Sequence, residues 1–422
     1  MSNSSEFRVS TQARISLLVG KGGVGKSTLA AAIAVRDAGK GRRVLVVSTD
    51  QAHSLGAVLG VVVAPTGHGN PVRVLGDDVK TGGGFLDALA LDTLALLEAR
   101  WCDVVDALDR RFPESELNSI APEELSALPG IQEVLGLHAV GELAAAGRWD
   151  RIVVDCTSTA DALRMLTLPS TFSLYVERAW PRHRRLGIAA GDAPSAVVEL
   201  FERVSASVER LGALLTDGSL VSAHLVLTPE RVVAAEAIRT LGSLALMGIR
   251  VEELIVNQVL VRDESYEYQS LPEHPALSWY AERIDEQRAI LDELDVTIGD
   301  VELVITPYLS GEPVGPKALA ALLDVAHRRS GLALPSPLRP IVDLESGSGL
   351  ESVYRLRLAL PQLDPAALTL GRVDNDLIIS AGGLRRRVRL ASVLRRCTVL
   401  DAQLRDSELT VRFRPDPEVW ST

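Results

Sequence analysis

An apolar run, RISLLVG (Arg14–Gly20), leads without a break into GKGGVGKSTLAAAIAV (Gly20–Val35). A β-rich stretch ended by clustered glycines and continued by an alanine-rich helical pattern can fold in few ways. The glycines permit a tight turn with backbone N–H groups facing inward, and a helix opens where the turn closes. Gly20, Gly25, Lys26 and Ser27 satisfy G-x-x-x-x-G-K-[ST], the spacing of a phosphate cradle. In such a cradle the backbone of Gly22, Gly23, Val24, Gly25 and Thr28 surrounds the phosphates. Lys26 reaches the β and γ phosphates and Ser27 supplies a hydroxyl to Mg²⁺. A second lysine, Lys21, stands ahead of Gly22 and Gly23, and the cradle alone does not require it.

The rest of the chain repeats the alternation. RVLVVSTD, FLDALALD, RIVVDCT, AHLVLTPE, EELIVNQVL and VELVITPY read as strands, each followed by a loop and a helical segment. This predicts an α/β fold with a mostly parallel, doubly wound sheet, whose ligands gather at the carboxyl ends of the strands. Between about Ala162 and Asp217 lies a helical subdomain, in which Val197, Leu200, Phe201, Val204, Val208, Leu211 and Leu215 recur at helical spacing. That stripe reads first as a face packed on its own domain, and alternatively as half of a client groove. SGLALPSPLRP gathers proline, serine and glycine, so residues 330–337 read as a linker between an α/β body (13–329) and a tail (338–415).

The tail is of another kind. YRLRLAL, ALTLGRV, DLIISAG, RRRVRLA and ELTVRF are short strands separated by turn residues, which predicts a small antiparallel β-sandwich. Residues 336–422 hold 13 arginines against 11 acidic residues, so the acidity of the chain, net charge −11, resides in the body. That balance argues against nucleic acid as a partner. In the run Arg385–Arg386–Arg387–Arg389, alternation sends Arg386 to the face opposite Arg385 and Arg387, so no single basic stripe forms. The run reads as a solvated strand. Three cysteines without a CxxC pair point to a reducing compartment and no zinc. No segment approaches the ~20 apolar residues of a membrane span. The expected location is the cytoplasm.

KGGVGKST resembles the phosphate-loop signature of the family that includes the MinD/ParA partition ATPases, the nitrogenase iron protein, and the ArsA and Get-pathway ATPases. The resemblance implies that Lys21 serves the nucleotide across a homodimer interface. STDQAHSL is similar to switch I of the ArsA and Get-pathway branch. It implies that Asp50 places the attacking water and lies near the metal, with Gln51 and Ala57 standing where that branch has proline and aspartate. WDRIVVDCTSTADALRMLTLP resembles switch II, which makes Asp155 the holder of the Mg²⁺ hydration shell. Cys156, Ser158, Ala160 and Asp161 replace Thr, Pro, Gly and His there. LIVNQVL places Asn257 where the family reads adenine, and TPYLSGEPVGPKAL places Pro307 in the loop over the base. ALPGIQEVLGLHAV matches a helix start of the same branch.

The resemblance therefore implies a homodimeric ATPase using ATP and Mg²⁺, with catalytic Asp50, Lys21 and Lys26 and metal-side Ser27, Asp50 and Asp155. The tail resembles the small heat-shock (α-crystallin) domain carried by a subgroup of Get-like ATPases. The function so implied is nucleotide-driven binding and release of a hydrophobic or tail-anchored protein client, with a membrane receptor as a further partner. Two alternatives stand beside it: a MinD/ParA-like switch on a partner complex, and an arsenite or anion pump subunit. With Met1, Met165 and Met247 as the only methionines, a client groove would be lined by Leu, Val and Phe.

Overall fold

The computed structural model describes residues 12–49, 54–67, 70–76, 83–100, 131–157, 159, 162–163, 196–261, 274–299, 301–329 and 338–420. Asp50, the linker 330–337 and most of the 162–217 segment lie outside them, as do the side chains of residues 196–204. The chain forms two compact units, Met1–Ser222 with Leu309–Val325, and Ala223–Tyr308 with Ala326–Thr422.

In the first unit β1 (Arg14–Gly20), β2 (Arg43–Ser48), β5 (Phe85–Leu91) and β6 (Arg151–Asp155) are parallel, in the order β1-β6-β2-β5. Two short strands, β3 (Pro65–Thr66) and β4 (Val72–Leu75), pair with β5, the latter antiparallel. All seven residues of β5 are buried, as a strand covered on both faces requires. Helix α1 (Lys26–Gly39) buries Leu29, Ile33 and Val35, and the helix Pro316–Asp324, which packs on it, buries Leu319 and Leu322.

Charged groups stitch the amino-terminal side of this sheet. Arg43, opening β2, grips Asp150 with backbone and guanidinium N–H groups at 2.6–3.1 Å. Buried Asp37 accepts from Arg151, which also holds Ser16. Asp87, 1% exposed, accepts from Arg73 (2.6 Å), Arg148 (3.1 Å) and the indole N–H of Trp149 (3.0 Å). Three donors around one carboxylate stabilise its charge where water cannot.

The second unit contains β7 (Val221–Leu227), β8 (Val251–Val259) and β9 (Glu302–Pro307) in parallel, with β10 (His327–Arg329) antiparallel on β9. A polar row crosses all four strands, buried at His224 and Glu253 and open to water towards Glu302 and Arg328. His224 Nδ1 lies 2.8 Å from Glu253, and Arg328 donates to Glu253 at 2.6 Å and Glu302 at 2.9 Å. Burial alone would push the Glu253 carboxyl up, but hydrogen bonds and charge from His224 and Arg328 outweigh it and hold the group down at about 2.

This depression links stability to pH. With its folded value below the ordinary 4.5, Glu253 contributes stability that is complete above about pH 4.5 and is lost as pH falls towards 2. The contribution is on the order of 3 kcal/mol. Urea titrations at pH 7 and pH 3 should show wild type losing much of it on acidification. Glu253→Gln should be weaker at pH 7 and lose less than wild type between the two. Equal losses in both proteins would remove this account.

The tail folds as two antiparallel sheets. One has the order β11 (Ile341–Ser346), β12 (Val353–Ala359), β17 (Glu408–Pro415), β16 (Cys397–Arg405). The other runs β13 (Thr369–Val373), β14 (Asp376–Ala381), β15 (Leu384–Arg389). Leu356, Leu358, Ile379, Val388, Leu409, Val411 and Phe413 fill the space between them. Asp406 and Ser407, at φ 48° and 64°, make the left-handed two-residue turn that suits a twisted hairpin. Strands β11 and β16 escape a reading by alternation. As edge strands they are exposed along most of their length, so no two-residue apolar period marks them.

Arg386 corrects the reading of its strand as wholly solvated. Arg385, Arg387 and Arg389 are exposed, but Arg386 turns inward and donates to the carbonyls of Ala245 (3.3 Å) and Leu338 (2.8 Å). Ala245 belongs to the last turn of the helix Arg231–Met247, where the carbonyl end of the helix dipole concentrates negative charge, and its carbonyl also accepts from Gly248 N at 2.9 Å. Burial lowers the guanidinium to about 10. Gly248 caps that helix at φ 82°, and a Cβ there would lie 2.9 Å from the Arg386 guanidinium. Leu246 from the same helix enters the sandwich core, and Gln362 donates to Thr297 O. The tail is thus built onto the helical layer of its own unit.

Candidate functional site

β1 ends at Gly20, and the turn that follows is left-handed at Gly23 (φ 84°) and Gly25 (φ 90°). A side chain at either position would cost about 1–2 kcal/mol. Gly25 is the residue before α1, so the turn delivers the chain straight into the first helical N–H groups, where partial positive charge collects. Lys26 is only 8% exposed and arches back over the loop, donating from Nζ to Lys21 O at 3.0 Å. Lys21 itself has an exposed side chain. Ser27 Oγ accepts from Ser54 Oγ at 2.8 Å, and Ser54 opens α2 (Ser54–Leu59), four residues after Asp50.

Asp155 ends β6 between β1 and β2, level with Leu18 on one side and Ser48 on the other. It is 1% exposed, and Ser48 Oγ lies 3.4 Å from its Oδ2. Its backbone carbonyl accepts from Thr49 N at 3.1 Å and Thr49 Oγ1 at 3.2 Å, tying together the loops after β2 and β6. The phosphate-loop residues Gly20 to Thr28 and Asp155 thereby share the carboxyl edge of one sheet. Cys156, next in the chain, is fully buried. Burial first, and then the Asp155 charge, push its thiol up to about 12, so it stays protonated and inert.

The donor set suits a hard divalent cation. Ser27 offers a hydroxyl and Asp155 a buried carboxylate, the oxygen ligands Mg²⁺ takes together with water and phosphate. Among the described residues no group of three or more His, Cys, Asp or Glu could form a protein-only metal cage. Mg²⁺ does not need one.

Asn257 and Pro307 lie in the second unit. Asn257 is 6% exposed near the end of β8, with Thr306 Oγ1 2.7 Å from its Oδ1, and Pro307 closes β9. Asp50 lies outside the described residues. Sequence reasoning missed Ser54 and Thr306. Ser54 had a legible signal, one helical turn beyond Asp50. Thr306 had none beyond its place before Pro307, because its contact with Asn257 depends on strand pairing.

A phosphate cradle at the carboxyl edge of a mostly parallel sheet, with a strand-end aspartate beside it, defines the class: a P-loop ATPase fold. The chain belongs to the anion-transporting ATPase family, ArsA, which it matches over residues 13–327, and residues 351–413 match the HSP20-like domain found in ArsA. It is 80% identical to Protein Rv2184c of Mycobacterium tuberculosis, over 97% of this chain and 98% of that protein. It is 24% identical to putative arsenical pump-driving ATPase 1 of Aquifex aeolicus, across 94% of this chain and 99% of the relative. ATPase GET3C of Arabidopsis thaliana is 26% identical over 74% of this chain and 82% of its own length. Among the described residues no helix is long and apolar enough to cross a membrane.

Proposed function

We propose that this ArsA-family protein is a Mg²⁺-dependent, homodimeric ATPase whose opening and closing binds and releases a hydrophobic protein client. The observation that carries the catalytic half is the pairing of the arched Lys26 with buried Asp155 on one sheet edge. On this reading Lys26 gives up its bond to Lys21 O and turns to the β and γ phosphates, held by the N–H groups of the loop. Ser27 and, through water, Asp155 would hold Mg²⁺, which supplies positive charge against the phosphate oxygens. Asp50 orients the attacking water. Lys21, exposed at the rim, serves the triphosphate of the partner subunit, so that hydrolysis depends on association. In this scheme residues 13–329 form the ATPase body, and the α-crystallin-like tail 338–415 follows the linker.

The client half rests on the helix Ala196–Leu215. In its carboxyl-terminal part Val208, Leu211 and Leu215 are buried within the first unit; Val197, Leu200, Phe201 and Val204, which this reading gives to the client, have side chains outside the described ones. Pump-driving relatives suggest metalloid chemistry as a second reading. The two described cysteines, Cys156 and Cys397, are both buried, which disfavours it. Affinity capture with Asp50→Asn plus ATP should retain hydrophobic polypeptides in a closed dimer. Adding Leu200→Asp and Phe201→Asp should release them without dissolving the dimer. Capture indifferent to those two changes would end the groove proposal.

A further inference from the structure

Strands β8 and β9 fall out of step beside Asn257. Val256 pairs with Ile305, and the next pair is Val259 with Pro307. Three steps along β8 therefore match two along β9, and Asn257 and Gln258 together oppose Thr306. Gln258 absorbs the extra residue in a left-handed conformation, φ 60°. Such a bulge re-aims the side chains beside it, and bulges concentrate next to functional sites.

Thr306 is fully buried, with Oγ1 2.7 Å from Asn257 Oδ1 and 3.4 Å from Val256 O. The hydroxyl has one hydrogen to give: Asn257 Oδ1 lies within ordinary O–H···O range and Val256 O beyond it, so a flipped amide, which would donate to the hydroxyl oxygen, would leave that hydrogen only the longer contact. Thr306 Oγ1 thus donates to Asn257 Oδ1, and the amide atom facing Thr306 is the oxygen. The NH₂ end is accordingly the one turned away from Thr306.

We propose that Thr306 is the positioning residue for nucleobase selectivity, locking the Asn257 amide in the orientation that suits adenine. The inference rests on Asn257 as the base-reading residue. An amide offers an acceptor and a donor side by side. In one orientation it meets the exocyclic N–H of adenine with oxygen and a ring nitrogen with N–H. Flipped by 180°, the same side chain suits the O6 acceptor and N1–H donor of guanine. The lock costs adenine nothing, because the carbonyl oxygen keeps a second lone pair for the base. Removing the hydroxyl makes the flip cheap and erodes discrimination.

Calorimetric titration of the full chain with MgADP and with MgGDP tests this. Thr306→Val, close to isosteric, should reduce the ADP-over-GDP preference by about tenfold, the worth of a single hydrogen bond. Its affinity for inorganic tripolyphosphate should not change. Thr306→Ser should restore the preference, which separates orientation from simple packing. Asn257→Ala supplies the second arm. Loss of preference in Asn257→Ala with full preference in Thr306→Val would overturn the lock and keep the base-reading role. An unchanged preference in Asn257→Ala would overturn both.

Discussion

Mixing Lys21→Ala subunits with Lys26→Ala subunits is expected to restore about a quarter of the wild-type ATPase rate, although each variant alone falls by about 10³-fold. The two lysines sit five residues apart on one loop yet are assigned to different nucleotides. Lys26 is nearly buried and folds over its own loop, and the proposed mechanism gives it the nucleotide of its own chain. The closure shown uses the Lys21 backbone carbonyl, and the Lys21 side chain is exposed. Lys21→Ala therefore keeps the carbonyl that Lys26 grips, and the loop should keep its shape. In a mixed dimer the Lys21→Ala subunit has its own Lys26 and receives Lys21 from its mate, giving one complete site. About half the dimers are mixed after exchange and each has one working site of two, hence the quarter. If both lysines served the same chain, mixing would restore nothing above the separate activities. That outcome would refute delivery across the interface.

Asp87→Ala should destabilise the first unit by about 3 kcal/mol. Asp87 is buried, and truncation strands the indole N–H of Trp149, itself 3% exposed, with no water to replace the carboxylate. Arg73 and Arg148 lose their shared partner as well, but at 30% and 48% exposure they recover part of the loss by hydration. Arg73 also stays over the Phe85 ring at 4.0 Å. Asp87→Asn should cost less, because an amide oxygen can still accept from Trp149. Urea unfolding followed by circular dichroism would read both changes, and a midpoint unchanged in Asp87→Ala would show that the carboxylate is not holding the sheet.

Much of the fold was legible because its signals are local. The strands read from the sequence appear where apolar runs and turn residues place them. β3, β4 and β10 did not register, being two to four residues long and fixed only by a neighbour. The cradle was legible because left-handed glycines and a lysine at the head of a helix must be consecutive in the chain. Asp155 was legible as a charged residue ending an apolar run. Thr306 and Arg386 were not. Thr306 matters because a bulge in β8 puts two residues opposite it, and no sequence period encodes a register shift between strands 49 residues apart. The alternation correctly set Arg386 apart from its neighbours, yet not that a helix end 141 residues away would receive it.

By itself the sequence determined the alternating α/β order, the phosphate loop with its two lysines and the β character of the tail, since each is written in contiguous residues and in short-range backbone preference. Only the tertiary structure decided which of the two lysines closes its own loop, which carboxylates are buried behind arginines, and which face of the arginine-rich strand is dry. Those outcomes depend on what lies across a strand or helix from a residue, and desolvation, unlike propensity, is a property of neighbours brought together by folding.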